Sequence, residues 1–256
     1  MPLVLAHRGA NRVAPQNTIP AFKKSLEFMA DGIETDVHLC LDNEIVICHN
    51  YTIDETSNGV GRIDEMTLAQ LKCYDFGSYF SSDFAGVSLP TLNELLDVVK
   101  GMALINIEIK PPQKDNDLVK KVVEKVYEYG IINNSIISCF DPECVRQVKE
   151  IDKNVKTALL YEENDLGNEI MSFGVAKYCK QLGVDAAHPE YFLISHKEIT
   201  ELHNLGIKVN PWTVNEREDI IKLTNWGCDA LITDVPDFCK KVLEEKKWAR
   251  QNTVLF

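Results

Sequence analysis

Leu3-Val4-Leu5-Ala6-His7-Arg8-Gly9 sets a short apolar run directly against an imidazole, a guanidinium and a glycine. The motif is echoed along the chain. Glu34-Thr35-Asp36 lies in a second apolar run, His49-Asn50 follows a third, and Glu108-Ile109-Lys110 closes a fourth. Carboxylates, imidazoles and cations therefore recur where strands stop. Several strand ends converging on one place would supply the acids, bases, cation ligands and anion holders of a metal-assisted phosphoryl-transfer site.

Working outward, apolar runs alternate with longer amphipathic segments. Strands are predicted at 3–6, 32–37, 103–109, 135–139, 156–160, 185–187, 208–210 and 230–233. Helices are predicted at 18–29, 92–99, 117–129, 142–151, 168–182, 195–205, 216–225 and 237–247. Asn17 and Asp141-Pro142 read as helix starts, and Gly130, Gly183, Gly206 and Gly227 as left-handed helix ends. Strand–helix alternation of this kind in 256 residues predicts an α/β fold, a (β/α)8 TIM barrel. A doubly wound open sheet fits less well, because no Gly-x-Gly-x-x-Gly follows the first strand.

One region breaks the rhythm. A further extended stretch is read at 44–48, and about 40 residues then pass before the helix at Leu92. This segment, about 50–90, reads as a small subdomain over the barrel mouth within a single domain spanning 1–256. Phe76, Tyr79, Phe80 and Phe84 are expected to form its own small core. Asp42-Asn43 reads as a two-residue hairpin turn. That register would set Asp36 directly across from His49, with Glu34 on the same face.

Composition narrows the function classes. A formal charge of −12 disfavours a nucleic-acid or anionic-membrane surface, while a divalent cation could still reverse the local field around a small anion. No run reaches the length of a transmembrane segment and no signal peptide is evident, so the chain is expected to be cytoplasmic. The eight cysteines are scattered without metal spacing and are expected to be free thiols.

His7-Arg8-Gly9, Pro15-Gln16-Asn17-Thr18, Glu34-Thr35-Asp36, His49-Asn50, Thr56-Ser57-Asn58-Gly59 and Glu108-Ile109-Lys110, in this order and spacing, resemble the glycerophosphodiester phosphodiesterase family. The resemblance extends to Trp212-Thr213-Val214-Asn215 and Thr233-Asp234-Val235-Pro236, so it covers nearly the whole chain. It implies a TIM barrel with an insertion after the second strand and an enzyme of lipid and glycerol metabolism. That enzyme hydrolyses glycerophosphodiesters to sn-glycerol 3-phosphate and an alcohol. By the same resemblance Glu34, Asp36 and Glu108 would hold a divalent cation, Mg²⁺ or Ca²⁺, as a hard-oxygen ligand set permits. His7 and His49 would be the acid/base pair, and Arg8 and Lys110 would bind phosphate oxygens. Trp212 follows the seventh strand, where it could pack on the glycerol moiety of the substrate or cap the core, and a mouth position is expected.

The chain departs from the family pattern at two positions, with Gln16 in place of Glu and Asn50 where His-Asp is usual. The rival readings are a lysophospholipase D- or sphingomyelinase D-like phosphodiesterase and a catalytically inactive binding module. The expected partner is the small-molecule diester, with no nucleic acid, and a homo-oligomer is compatible with the reading. Among the remaining histidines, His188 ends the sixth strand and could reach the mouth, whereas His38, His196 and His203 are expected at the surface.

Overall fold

The computed structural model of the protein describes residues 1–99, 101, 103–111, 116–163 and 174–253. The strands are β1 (Leu3–Ala6), β2 (Gly32–Leu39), β3 (Ile45–Ile47), β4 (Leu104–Ile109), β5 (Ser135–Cys139), β6 (Thr157–Tyr161), β7 (Ala186–Pro189), β8 (Lys208–Val209) and β9 (Ala230–Thr233). Eight of them pair in the order β8-β7-β6-β5-β4-β2-β1-β9, every pairing parallel, and β3 attaches to β2 as an antiparallel branch. The ends approach each other across β8 and β9: Asp229 N donates to Val209 O and Ile232 N to Pro211 O. The result is the expected (β/α)8 barrel, nearly closed.

The helices are α1 (Ile19–Glu27), α2 (Leu68–Leu71), α3 (Leu92–Val99), α4 (Leu118–Glu128), α5 (Pro142–Ile151), α6 (Val175–Leu182), α7 (His196–Asn204), α8 (Arg217–Trp226) and α9 (Pro236–Thr253). Their apolar residues recur every three or four positions, as in Leu118, Val119, Val122, Val123 and Val126 of α4, and are buried. They pack on the outward residues of the strands, among them Val4, Ile33, Ile107, Ile137, Leu159, Val209 and Leu231, to form the main core. Strand boundaries fall within two residues of expectation. For the helix expected at 168–182, α6 supplies the second half, and 168–173 lies outside the described residues. Gly183 (φ 75°) and Gly227 (φ 90°) terminate α6 and α8 in the left-handed region that glycine reaches without a Cβ clash.

Inside the barrel the packing is thinner and more polar. Leu5, Ala230 and Ile232 form a small apolar layer flanked by Leu104 and Trp212. Asn106, Ser138, His188 and Asn210 are all buried. His188 does not reach the mouth. It is fully buried, with Nε2 accepting from Asn210 Nδ2 at 2.9 Å. His38 is also corrected: it is 6% exposed, edge-on to Tyr51 with ring centroids 5.0 Å apart.

The hairpin departs from the predicted register. Val37, His38 and Leu39 pair with Ile47, Val46 and Ile45, and Cys48 N donates to Asp36 O. Cys48, not His49, therefore lies across from Asp36. The loop contains three residues, Leu41-Asp42-Asn43, because Cys40 pairs with Glu44 and Asn43 takes a left-handed φ of 64°. The insertion holds the loop in this form, with Leu41 N bonded to Met66 O and Leu68 N to Asp42 Oδ1.

The insertion itself wraps a separate core. Ile53, Ile63, Leu71, Phe76 and Leu89 bury themselves against Cys40, Val46 and Cys48 of the hairpin. Of the four expected aromatics only Phe76 joins this core; Tyr79 and Phe80 are 41% and 37% exposed. All eight cysteines are free thiols. No helix among the described residues is long and apolar enough to cross a membrane. Ile53 is fully buried, so Ile53→Ala is expected to cost about 2–5 kcal/mol in urea unfolding, without loss of the barrel's circular-dichroism signature.

Candidate active site

A cavity of about 350 Å³ opens at the carboxyl ends of the strands, lined by His7, Arg8, Glu34, His49, Asn106, Glu108 and Lys110 on one side. Phe140, Leu160, Glu162, Trp212 and Ile232 line the rest. The parallel register delivers the acids. Asp36 pairs with Glu108 across β2 and β4, and Glu34 lies on the same face two residues earlier. Oxygens of Glu34, Asp36 and Glu108 lie within 4.8 Å of one another, and all three side chains are buried.

Each carboxylate is held separately. Glu34 Oε2 accepts the Arg8 backbone N–H at 2.8 Å. Asp36 accepts from Asn17 Nδ2 at 2.7 Å and from Lys110 Nζ at 2.7 Å. Lys110 also bonds Glu108, so in this structure the ammonium sits between two carboxylates. Arg8 Nε lies 3.5 Å from Asp36 Oδ2, and its Nη1 donates to Gln16 Oε1 at 2.7 Å. The loop geometry behind this needs Gly9. Its φ is 78°, and a Cβ there would sit 2.8 Å from Ala21 backbone. Asn17, expected as a helix start, is instead left-handed (φ 57°) and turns its amide to Asp36 and Thr35, while Thr18 occupies the N-cap of α1.

Burial and mutual repulsion act on the triad together. Burial, then Asp36 and Glu108, drive the Glu34 carboxyl well above its ordinary range. Burial and Asp36 push Glu108 up to about 7. Burial also raises Asp36, but Lys110 and Arg8 outweigh it and hold that carboxyl low. Glu34 Oε1 is buried with no hydrogen-bond partner. An unpaired carboxylate oxygen facing two others is costly unless a cation completes it. The residues present therefore fit a divalent cation held by Glu34, Asp36 and Glu108, with oxygen donors only.

The two histidines arrive differently. His7 follows β1, and its Nδ1 lies 2.7 Å from Asp234 Oδ1, with Nε2 3.9 Å from Glu34. A carboxylate only accepts, so Nδ1 carries the hydrogen. Asp234 is anchored by Asn11 Nδ2 at 2.6 Å and Asn215 Nδ2 at 2.8 Å. Burial raises its carboxyl, but His7 and these amides outweigh burial and hold it low. His49 reaches the cavity even though the register puts Cys48 opposite Asp36. β3 ends at Ile47 and the chain bends through 49–51, which swings the ring back to the mouth. His49 Nδ1 lies 2.7 Å from Asn50 Oδ1. Burial, above all, lowers the His7 imidazole and takes His49 down to about 4.

Trp212 is half-buried at the mouth, as expected, with Nε1 donating to His188 O at 2.9 Å and its ring edge-on to Phe140 at 5.6 Å. Asp234, Asn17 and Asn215 were not assigned roles from sequence. The signals for Asp234 are its place in the Thr233-Asp234-Val235-Pro236 motif and its position one residue past β9, at the end of the barrel where loops carry chemistry.

The Glycerophosphoryl diester phosphodiesterase family matches residues 7–238. The chain belongs to that family. A glycerophosphodiester phosphodiesterase from Caldanaerobacter subterraneus subsp. tengcongensis is 36% identical over 92% of this chain and 95% of its own length. The crystal structure of the glycerophosphodiester phosphodiesterase from Thermotoga maritima superposes with a TM-score of 0.78 at 26% identity, covering 94% of this chain and 98% of that one. A phosphodiesterase from Oleispira antarctica, solved in complex with the product sn-glycerol-3-phosphate, shares the fold with a TM-score of 0.83 at 24% identity, covering 95% and 97%. In this chain His7, Glu34 and Glu108 line the cavity, Asp36 completes the carboxylate triad beside them, and Asp234 bonds His7 Nδ1.

The raised carboxyls would set the pH dependence of any divalent cation bound by the triad. Protons compete with the cation while Glu108 and Glu34 are protonated, so affinity should rise with pH through about 7. Calorimetric titration with Mg²⁺ is expected to give weaker binding and more proton release at pH 6 than at pH 8.

Proposed function

We propose that the protein is a metal-dependent phosphodiesterase that hydrolyses glycerophosphodiesters to sn-glycerol 3-phosphate and an alcohol. The carrying observation is one cavity that joins two imidazoles to a buried three-carboxylate cluster. The 36%-identical relative that spans nearly the whole chain carries the same activity in its name.

In this reading Glu34, Asp36 and Glu108 hold Mg²⁺ or Ca²⁺, which when bound supplies positive charge to the phosphoryl oxygens. Arg8 adds a planar donor fork at the same place, and Lys110 a point charge. His7 takes the proton from the nucleophilic hydroxyl at Nε2, because Asp234 steadies Nδ1–H and stabilises the imidazolium that forms. His49 delivers a proton from Nε2 to the leaving oxygen. Burial favours the neutral ring, and an anionic diester beside it would favour the protonated form. Trp212 and Phe140 offer an apolar wall to the organic part of the substrate. The nucleophile is either the neighbouring glycerol hydroxyl, giving a cyclic phosphate, or water. A deoxy substrate lacking that hydroxyl separates the two, since unimpaired turnover excludes the cyclic route.

The direct test is release of glycerol 3-phosphate from glycerophosphocholine. His7→Ala and His49→Ala are each expected to lower kcat by about 10²–10⁴-fold with Mg²⁺ binding retained. EDTA is expected to abolish turnover, and metal add-back to restore it. Full activity in both histidine variants would overturn the assignment.

A second reading is favoured by one specific contact. Gln16, bonded to Arg8, also donates its backbone N–H to Tyr79 Oη at 3.2 Å, so the exposed Tyr79 adjoins the proposed phosphate holder, with the exposed Phe80 next to it in sequence. An apolar rim there suits a monoacyl substrate. Comparing lysophosphatidylcholine with glycerophosphocholine decides: higher kcat/KM on the lysolipid, lost in Phe80→Ser, identifies a lysophospholipase D-like enzyme.

A further inference from the structure

Asn50 occupies a position where an amide and a carboxylate behave differently. A carboxylate beside His49 would accept from Nδ1–H whichever way it turned. An amide accepts in only one of its two orientations, and in the other its NH2 faces the ring and calls for the opposite tautomer. What faces the far side of Asn50 therefore decides the proton position on His49. Asn50 Nδ2 lies 2.7 Å from Glu55 Oε2, and a carboxylate can only accept. The NH2 must point to Glu55, Oδ1 to His49, and the ring hydrogen must lie on Nδ1. Nε2 is left for the cavity.

The segment that presents Glu55 is not loose. Ile53 is fully buried in the insertion core and Thr56 is 8% exposed, while Ser57 Oγ donates back to Ile53 O at 2.7 Å. The 53–57 turn is thus pinned at both ends, with Glu55 at its outer face against Asn50.

We propose that Glu55 is a positioning residue for His49: through the Asn50 amide it sets the tautomer and orientation of the ring. This rests on the reading of His49 as a proton-transfer group and deepens it. It also gives the insertion a task in the reaction, since the insertion core holds the turn that carries the brace.

Two measurements on the full chain test it. In long-range ¹⁵N–¹H spectra of histidine-labelled protein near pH 7.5, His49, assigned by its loss in His49→Ala, is expected as the Nδ1–H tautomer. Glu55→Ala is expected to shift the ring toward Nε2–H, and Glu55→Gln, whose amide can turn either its oxygen or its NH2 to Asn50, to give a mixture of the two tautomers. In steady-state assays Glu55→Ala should lower kcat about tenfold, the worth of one charge-assisted hydrogen bond, with KM and Mg²⁺ affinity unchanged. Asn50→Asp/Glu55→Ala needs no brace and should recover both tautomer and kcat. A wild-type Nε2–H ring overturns the proposal, as does a Glu55→Ala protein with unchanged tautomer and kcat. If the wild-type chain turns over no glycerophosphodiester, the functional reading fails, and the spectra alone decide the role of Glu55.

Discussion

Three carboxylates buried within 4.8 Å of one another are the constraint around which the mouth of this barrel is arranged. Left alone, such a cluster would expel its charge or unfold its surroundings. Here every neighbouring element answers it. β1 ends so that the Arg8 amide reaches Glu34, the loop before α1 turns left-handed so that Asn17 reaches Asp36, and β4 returns Lys110 to its own Glu108. The Glu34 oxygen without a hydrogen-bond partner is what remains, in a donor set that fits a divalent cation.

The histidines flank this cluster with unlike supports. His7 leans on the charged Asp234, which is itself clamped by two asparagine amides. His49 leans on a neutral amide whose orientation depends on a further residue. Both arrangements put hydrogen on Nδ1 and direct Nε2 elsewhere, so the two rings share one chemical presentation while differing in the charge behind them. That difference suits a pair whose members exchange protons in opposite senses. The barrel interior beneath is more polar, with Asn106, His188 and Asn210 buried there, while the main apolar core lies outside the strands. Stability and chemistry are thereby separated between the two faces of one sheet.

Much of this was legible in the sequence. Strand ends carrying His7, Glu34, Asp36, Glu108 and Lys110 could be read because parallel strands alternate with period two and stop at the same end of a barrel. The hairpin was not. A two-residue turn at Asp42-Asn43 and a three-residue turn at 41–43 differ by one residue, and the choice is made by contacts from Met66 and Leu68, more than twenty residues away. That one-residue step moved Cys48 into the place expected for His49, and the bend after β3 returned the imidazole to the cavity. Local pattern carries no trace of either event.

By itself the sequence determined the barrel, the order of its units, the strand ends that bear charge and the family to which the chain belongs, because these follow from hydrophobic period and from short motifs. Only the tertiary structure decided which groups support which. Asp234 is 227 positions from His7, Asn17 gave up a helix cap for Asp36, and Glu55 meets Asn50 through a turn anchored by the insertion core. Those pairings depend on where closure of the sheet and packing of the insertion bring distant side chains, and hydrogen-bond partners at 2.7 Å are chosen by three-dimensional proximity rather than by spacing along the chain.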